Sequence, residues 1–192
     1  ASVMWSPAAC GDGRSTHGDL VTPDLSAILN EVTSMGDWAS GNNLAIIMGH
    51  TAGAGSRWVE SSRENNGIQT PALFFTYATL GGAVPQATTE SWSVTGRGDS
   101  AEEKVTTGNI DLNSSDLELV HEGSGTDASN EQIVVIVFPG VSIPAGAIVT
   151  EASILFDVDE IRPGQSDLAG AGCTINIYGE ADPNAAAPTD AN

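Results

Sequence analysis

Positive charge is scarce in this chain: 6 Lys and Arg stand against 25 Asp and Glu, a formal net charge of −19 over 192 residues. Such a surface is repelled by phosphate backbones and anionic lipid, which excludes nucleic acid and membrane-surface partners. Long apolar runs are missing as well. The longest, Ile133 to Phe138, has strand length, far short of the roughly 18 residues that signal a membrane span, so no membrane insertion is expected. Ala1 opens with neither a basic region nor an apolar stretch, as an already processed chain would. Catalytic and metal motifs are lacking too. His17, His50 and His121 stand apart, without H-x-H, H-E-x-x-H or C-x-x-C spacing, and read as surface histidines rather than zinc ligands. There is no G-x-S-x-G elbow, and the Gly53-Ala54-Gly55-Ser56 turn has no helix behind it to bind phosphate. The expectation is a protein that is not an enzyme.

What is present points to a β-rich core. Hydrophobic residues make up 40%, too many for a disordered acidic tail. One helix is expected over residues 23–36, with Thr22 as N-cap, Pro23 at the first position, an apolar stripe of Leu25, Ile28, Leu29 and Val32, and Gly36 as stop. Short strands are expected over residues 1–5, 44–48, 57–61, 72–79, 91–95, 117–120, 133–138, 148–158 and 174–179, separated by Gly, Pro, Asn and Ser turns. Residues 147–159 alternate poorly, which suggests a strand covered on both faces. The fold class is therefore an all-β antiparallel sandwich, jelly-roll-like, with one short α-helix. Residues 81–89 and 182–192 are rich in Ala, Pro, Gly and Thr and read as a linker and a tail or connector.

Several motifs are specific. They are Gly98-Asp99-Ser100-Ala101-Glu102-Glu103, Ser114-Ser115-Asp116-Leu117-Glu118-Leu119, Val141-Ser142-Ile143-Pro144-Ala145-Gly146-Ala147, Phe156-Asp157-Val158-Asp159-Glu160 and Ile175-Asn176-Ile177-Tyr178-Gly179-Glu180-Ala181. Together they resemble a β-sandwich module of multidomain extracellular proteins of marine and environmental bacteria. Residues 1–80, with Val3-Met4-Trp5, Thr22-Pro23-Asp24-Leu25 and Trp38-Ala39-Ser40-Gly41-Asn42, resemble the second half of the same module. Residues 90–181 resemble its first half, so the halves stand here in permuted order. The resemblance implies either a chain that closes on itself or copies that complete one another head to tail, as tandem modules or by strand complementation.

Acidic residues cluster at Asp99, Glu102 and Glu103, at Asp116 and Glu118, and at Asp157, Asp159 and Glu160. Asp and Glu in loops beside Gly and Ser suit calcium, which takes six to eight oxygens in flexible geometry. A solvated acidic face needs no ion and would look the same. Calcium bound by Asp99, Glu102, Glu103, Asp116, Asp157, Asp159 and Glu160 is the expectation. Cys10 and Cys173 are compatible with a disulfide and equally with two buried thiols. In the family order their elements are nearly consecutive, which implies a bridge. Asn113-Ser114-Ser115 matches the N-glycosylation pattern. Trp5, Trp38, Trp58 and Trp92 are the rings that could stack on glycans. These features suggest an extracellular, calcium-stabilised structural subunit of a fibre or surface array whose partners are copies of itself. The alternative is a carbohydrate-binding accessory module of a secreted enzyme or adhesin.

Overall fold

The computed structural model describes residues 1–7, 19–53, 57–60, 70–79, 86–94, 96, 98–122, 128–158 and 173–190. Six strands form one antiparallel sheet, in the order β1 (Ser2–Trp5), β12 (Cys173–Gly179), β3 (Asn42–Gly53), β10 (Gln132–Val141), β7 (Ser100–Lys104) and β8 (Asn109–Asp111). Four form a second: β2 (Asp19–Val21), β11 (Ile148–Asp157), β5 (Ala72–Thr79) and β6 (Gln86–Ser93). A two-stranded ribbon joins β4 (Arg57–Glu60) to β9 (Asp116–Leu119). The fold is the all-β antiparallel sandwich expected, with one short helix.

Alternation along the strands builds the core, because successive side chains point to opposite faces. Leu44, Ile46 and Met48 of β3, Val134, Ile136 and Phe138 of β10, and Ile175 and Ile177 of β12 are buried in one cluster. Leu73, Phe75 and Tyr77 of β5 and Val149, Ala152, Ile154 and Phe156 of β11 belong to the same cluster. Each such large side chain contributes roughly 2 kcal/mol by burial. The uneven alternation of β11 has a local cause. A register shift between Val149 and Glu151 inserts one residue, after which Ala152, Ile154 and Phe156 resume the inward phase. The other face is not covered, since Ile148 is 47% exposed.

The edge of β11 away from β5 is closed residue by residue. β2 pairs with Leu155 to Asp157. Beyond it, the Thr22 N–H donates to the Ile154 carbonyl (3.0 Å), and the Ile154 N–H donates to the Thr22 hydroxyl (3.0 Å). The Leu25 N–H donates to the Ala152 carbonyl, and the Asp24 carboxylate accepts from the Ala152 N–H at 2.9 Å. Finally the Asn30 amide donates to the Val149 carbonyl at 2.8 Å and accepts from its N–H at 2.9 Å. This use of Thr22 shortens the helix from the expected 23–36: α1 spans Ser26–Thr33. Asp24 replaces Thr22 at the helix entry, accepting from the Ser26 N–H (3.0 Å) and hydroxyl (2.8 Å). Burial pushes the Asp24 carboxyl up, but the bonds from Ser26 and Ala152 outweigh it and hold it below the ordinary carboxylate range. The stripe of Leu25, Ile28, Leu29 and Val32 is buried as expected.

Two stretches differ from their linker reading. Gln86 to Thr89 lie inside β6 and pair with β5. The tail folds back on β3: the Ala185 N–H donates to the Asn43 carbonyl at 3.2 Å, and Ala185, 1% exposed, packs with Ala45 and Val137. Ala is small enough to seat the tail close to the sheet.

Asn30 generates a stability prediction. Asn30→Ala leaves a part-buried N–H and C=O of β11 without partners and should cost about 1–3 kcal/mol. Urea denaturation reads it as a lower midpoint at unchanged slope. A midpoint within error of the parent would mean that the edge is not sealed by this side chain.

Candidate functional site: a buried acidic cleft

Glu102 is placed by register. On β7 it lies opposite Val134 of β10, and Val134 faces the core. A carboxyl is thereby turned inward at the rim of the six-stranded sheet, under the β4–β9 ribbon. Glu118 of β9 meets it there, its N–H donating to the Glu102 carboxylate at 2.6 Å. Glu102 and Glu118 are 4% and 8% exposed. Gln132, opposite Lys104 at the start of β10, is 7% exposed. Its side-chain oxygen is buried without a hydrogen-bond partner. These three residues line a cleft of about 380 Å³, with Lys104, Asp111 and Glu122 among its other walls. The Lys104 ammonium lies 3.5 Å from the Glu122 carboxylate.

Burial and the neighbouring Glu118 carboxyl push the Glu102 carboxyl up to about 10. Burial pushes Glu118 up as well, aided by Asp116 and Glu122. The two carboxyls therefore share a proton near neutrality.

The expected calcium ligands are spread out. Asp99 closes a turn, accepting from the Gly96 N–H at 2.8 Å. Glu103 lies next to Glu102 along β7, on the opposite face. Asp116 is 6% exposed; one oxygen accepts from the Ser115 hydroxyl at 3.0 Å and the other has no partner. Asp157 lies on the other sheet, opposite Asp19. Asp159 and Glu160 lie outside the described residues. Among the described residues, no three His, Cys, Asp or Glu side chains converge as metal ligands. Acids expected in loops, Glu102 and Glu103, stand on a strand. The group that forms instead joins one acid from the Asp99 cluster to one from the Asp116 cluster, with Gln132, which sequence reasoning missed. The available signal was a polar residue directly before the apolar run Ile133 to Phe138.

The histidine reading is corrected: His121 is 1% exposed, its ring 6.0 Å from that of His50. The Nδ1 of His50 lies 3.2 Å from the Glu131 carboxylate. Trp5 and Trp38 are core residues, and the Trp38 indole N–H donates to the Ile143 carbonyl at 2.9 Å. Trp92 is half-buried, donating to the Pro139 carbonyl at 2.6 Å. The Trp58 side chain lies outside the described residues. Phe74, 39% exposed, sits instead in a shallow groove of about 620 Å³ on the outer face of the four-stranded sheet, among Val21, Thr76 and Thr150. Asn113 is exposed between β8 and β9. Cys173 is buried, and Cys10 lies outside the described residues. Among the described residues, no helix is long and apolar enough to cross a membrane. Comparisons with family models, with curated proteins and with solved structures found no match to this chain.

The carboxyl pair sets a pH dependence in metal-free buffer. The folded form keeps a proton on Glu102 up to about 10, whereas the unfolded chain releases it near 4.5. Between those values the folded state holds more protons, so stability falls as pH rises, by up to about 1.4 kcal/mol per pH unit for one proton. Glu102→Gln has no proton to hold. It should flatten the profile and exceed the parent in stability toward pH values of about 9. Thermal midpoints across that range in chelator are the measurement, and parallel profiles would refute the assignment.

Proposed function

We propose that the chain is a secreted structural module, stabilised by calcium, that repeats along a fibre or surface array by exchanging β1 between copies. The position of β1 supports this reading. Among the described residues it lies at a sheet edge and pairs with β12 alone. Yet it places Trp5, 5% exposed, against Phe156 in the core, with ring centroids 6.0 Å apart. A neighbouring copy can supply such a strand through the same contacts. Each copy then gives one strand and receives one, a head-to-tail contact that does not close. An empty place would expose a row of β12 backbone groups and lose the ring, the latter alone costing about 3–5 kcal/mol.

The cysteines fit the same arrangement. Trp5 lies opposite Ile175, and the Ser6 and Thr174 hydroxyls are 3.3 Å apart, so Cys173 is next along the accepting strand. Cys10 is three residues beyond Pro7, a reach of at most about 11 Å. A bridge between them contributes about 2–4 kcal/mol within one chain. With β1 exchanged it links copies covalently.

Negative-stain imaging and light scattering with calcium present are expected to give uniform filaments. Non-reducing gels should give a ladder that collapses on reduction. A chain that stays monomeric at high concentration, with both thiols labelled after denaturation, refutes the exchange. The groove at Phe74 then favours the second reading, a carbohydrate-binding module, in which Phe74→Ala abolishes signal on a glycan array.

A further inference from the structure

We infer that the cleft beside β7, β9 and β10 binds one hard divalent cation of the calcium class through Glu102, Glu118 and the side-chain oxygen of Gln132. This deepens the calcium part of the proposed function and rests on it. The argument begins with Gln132. Gln132 is 7% exposed and its amide oxygen is buried without a partner, which is costly, and the residue lines the cleft that holds the two buried glutamates. A proton shared by the carboxyls does nothing for it. The unmet group in the interior of the cleft is thus an acceptor. The Lys104 ammonium, the cation on the walls, lies against Glu122, whose side chain is 51% exposed.

The donor chemistry selects the ion. Among the described residues, no His, Cys or Met lines the cleft, which disfavours zinc, copper and other metals that prefer nitrogen or sulfur. Two carboxylates and one amide carbonyl are hard oxygen ligands. They come from three strands, β7, β9 and β10; calcium accepts such irregular protein ligand sets and completes its shell with water, whereas magnesium demands near-ideal octahedral geometry. A cleft of about 380 Å³ has space for those waters. A side-chain hydrogen bond already links Glu102 to Glu118, so the two carboxyl groups need not be brought together from a distance.

The test is calorimetric titration of the metal-free full chain with calcium chloride, with near-ultraviolet circular dichroism to confirm that each variant is folded. The parent should bind one ion in the cleft. Glu102→Gln and Glu118→Gln should each weaken that binding at least tenfold. Gln132→Glu supplies a third carboxylate and should tighten it several-fold, a gain that a misfolded variant cannot imitate. Glu103→Gln, on the opposite face of β7, should leave it unchanged. Binding that survives all three cleft substitutions unaltered overturns this site while leaving calcium stabilisation in place. No binding by the parent at millimolar calcium overturns both. An ion held in the cleft by a chain that never polymerises supports the site and removes the fibre.

Discussion

The hydrogen-bond ladders along both edges of β3 hold the two halves of the chain together. β12 runs along one edge and β10 along the other, so a strand from the first half is enclosed by two from the second. β1 then depends on β12, which is positioned by β3. Across the sandwich, β5 of the first half sits between β11 and β6 of the second. Neither half can satisfy its strand edges or cover its apolar face without the other. Such pairing is non-local and therefore slow to form, since loop closure precedes the contacts that offset it.

Polar groups inside this frame fall into two kinds. Thr22, Asp24 and Asn30 each meet particular backbone groups of β11, donor facing acceptor, and they close an edge that would otherwise be open to another strand. Glu102, Glu118 and Gln132 are different. They are buried too, but the two carboxyls meet each other and the Gln132 oxygen has no partner. The first arrangement is complete within the protein. The second leaves the Gln132 oxygen unmet, and a buried polar atom without a partner is costly.

The sequence made the regular elements legible where period and burial agree. Residues 72–79 alternate cleanly because β5 has one face on the core, and β10 announces itself by its apolar run. β7 was hidden because Glu102 and Glu103 read as loop acids; only the register with β10 turns one of them inward. The bulge in β11 disguised a half-exposed strand as one covered on both faces. Thr22 had the chemistry of an N-cap, but the unpaired edge of β11 competed for it, and the helix starts later, at Ser26, whose N–H is met by Asp24. Local propensity could not see that competition. Of the acidic candidates, composition alone could not say which would meet, because the meeting of Glu102 and Glu118 depends on how β9 crosses the sheet.

Sheet order separates the two features assigned a role. β1 is one edge of the six-stranded sheet; β7 lies toward the other, with β12, β3 and β10 between them. An ion beside β7 and β9 therefore touches none of the bonds that hold β1 to β12. What it can do is fix the ribbon of β4 and β9 over the core at the rim where Leu117, Leu119 and Val59 are buried. Opening at that rim would wet the ends of β10 and β7 first, and β10 is half of the support of β3. A cation bound there would resist local unfolding of the rim, and through β10 and β3 it would preserve the surface on which β1 docks. Ion and strand exchange would then be coupled through stability of the sheet, without any direct contact between the two sites.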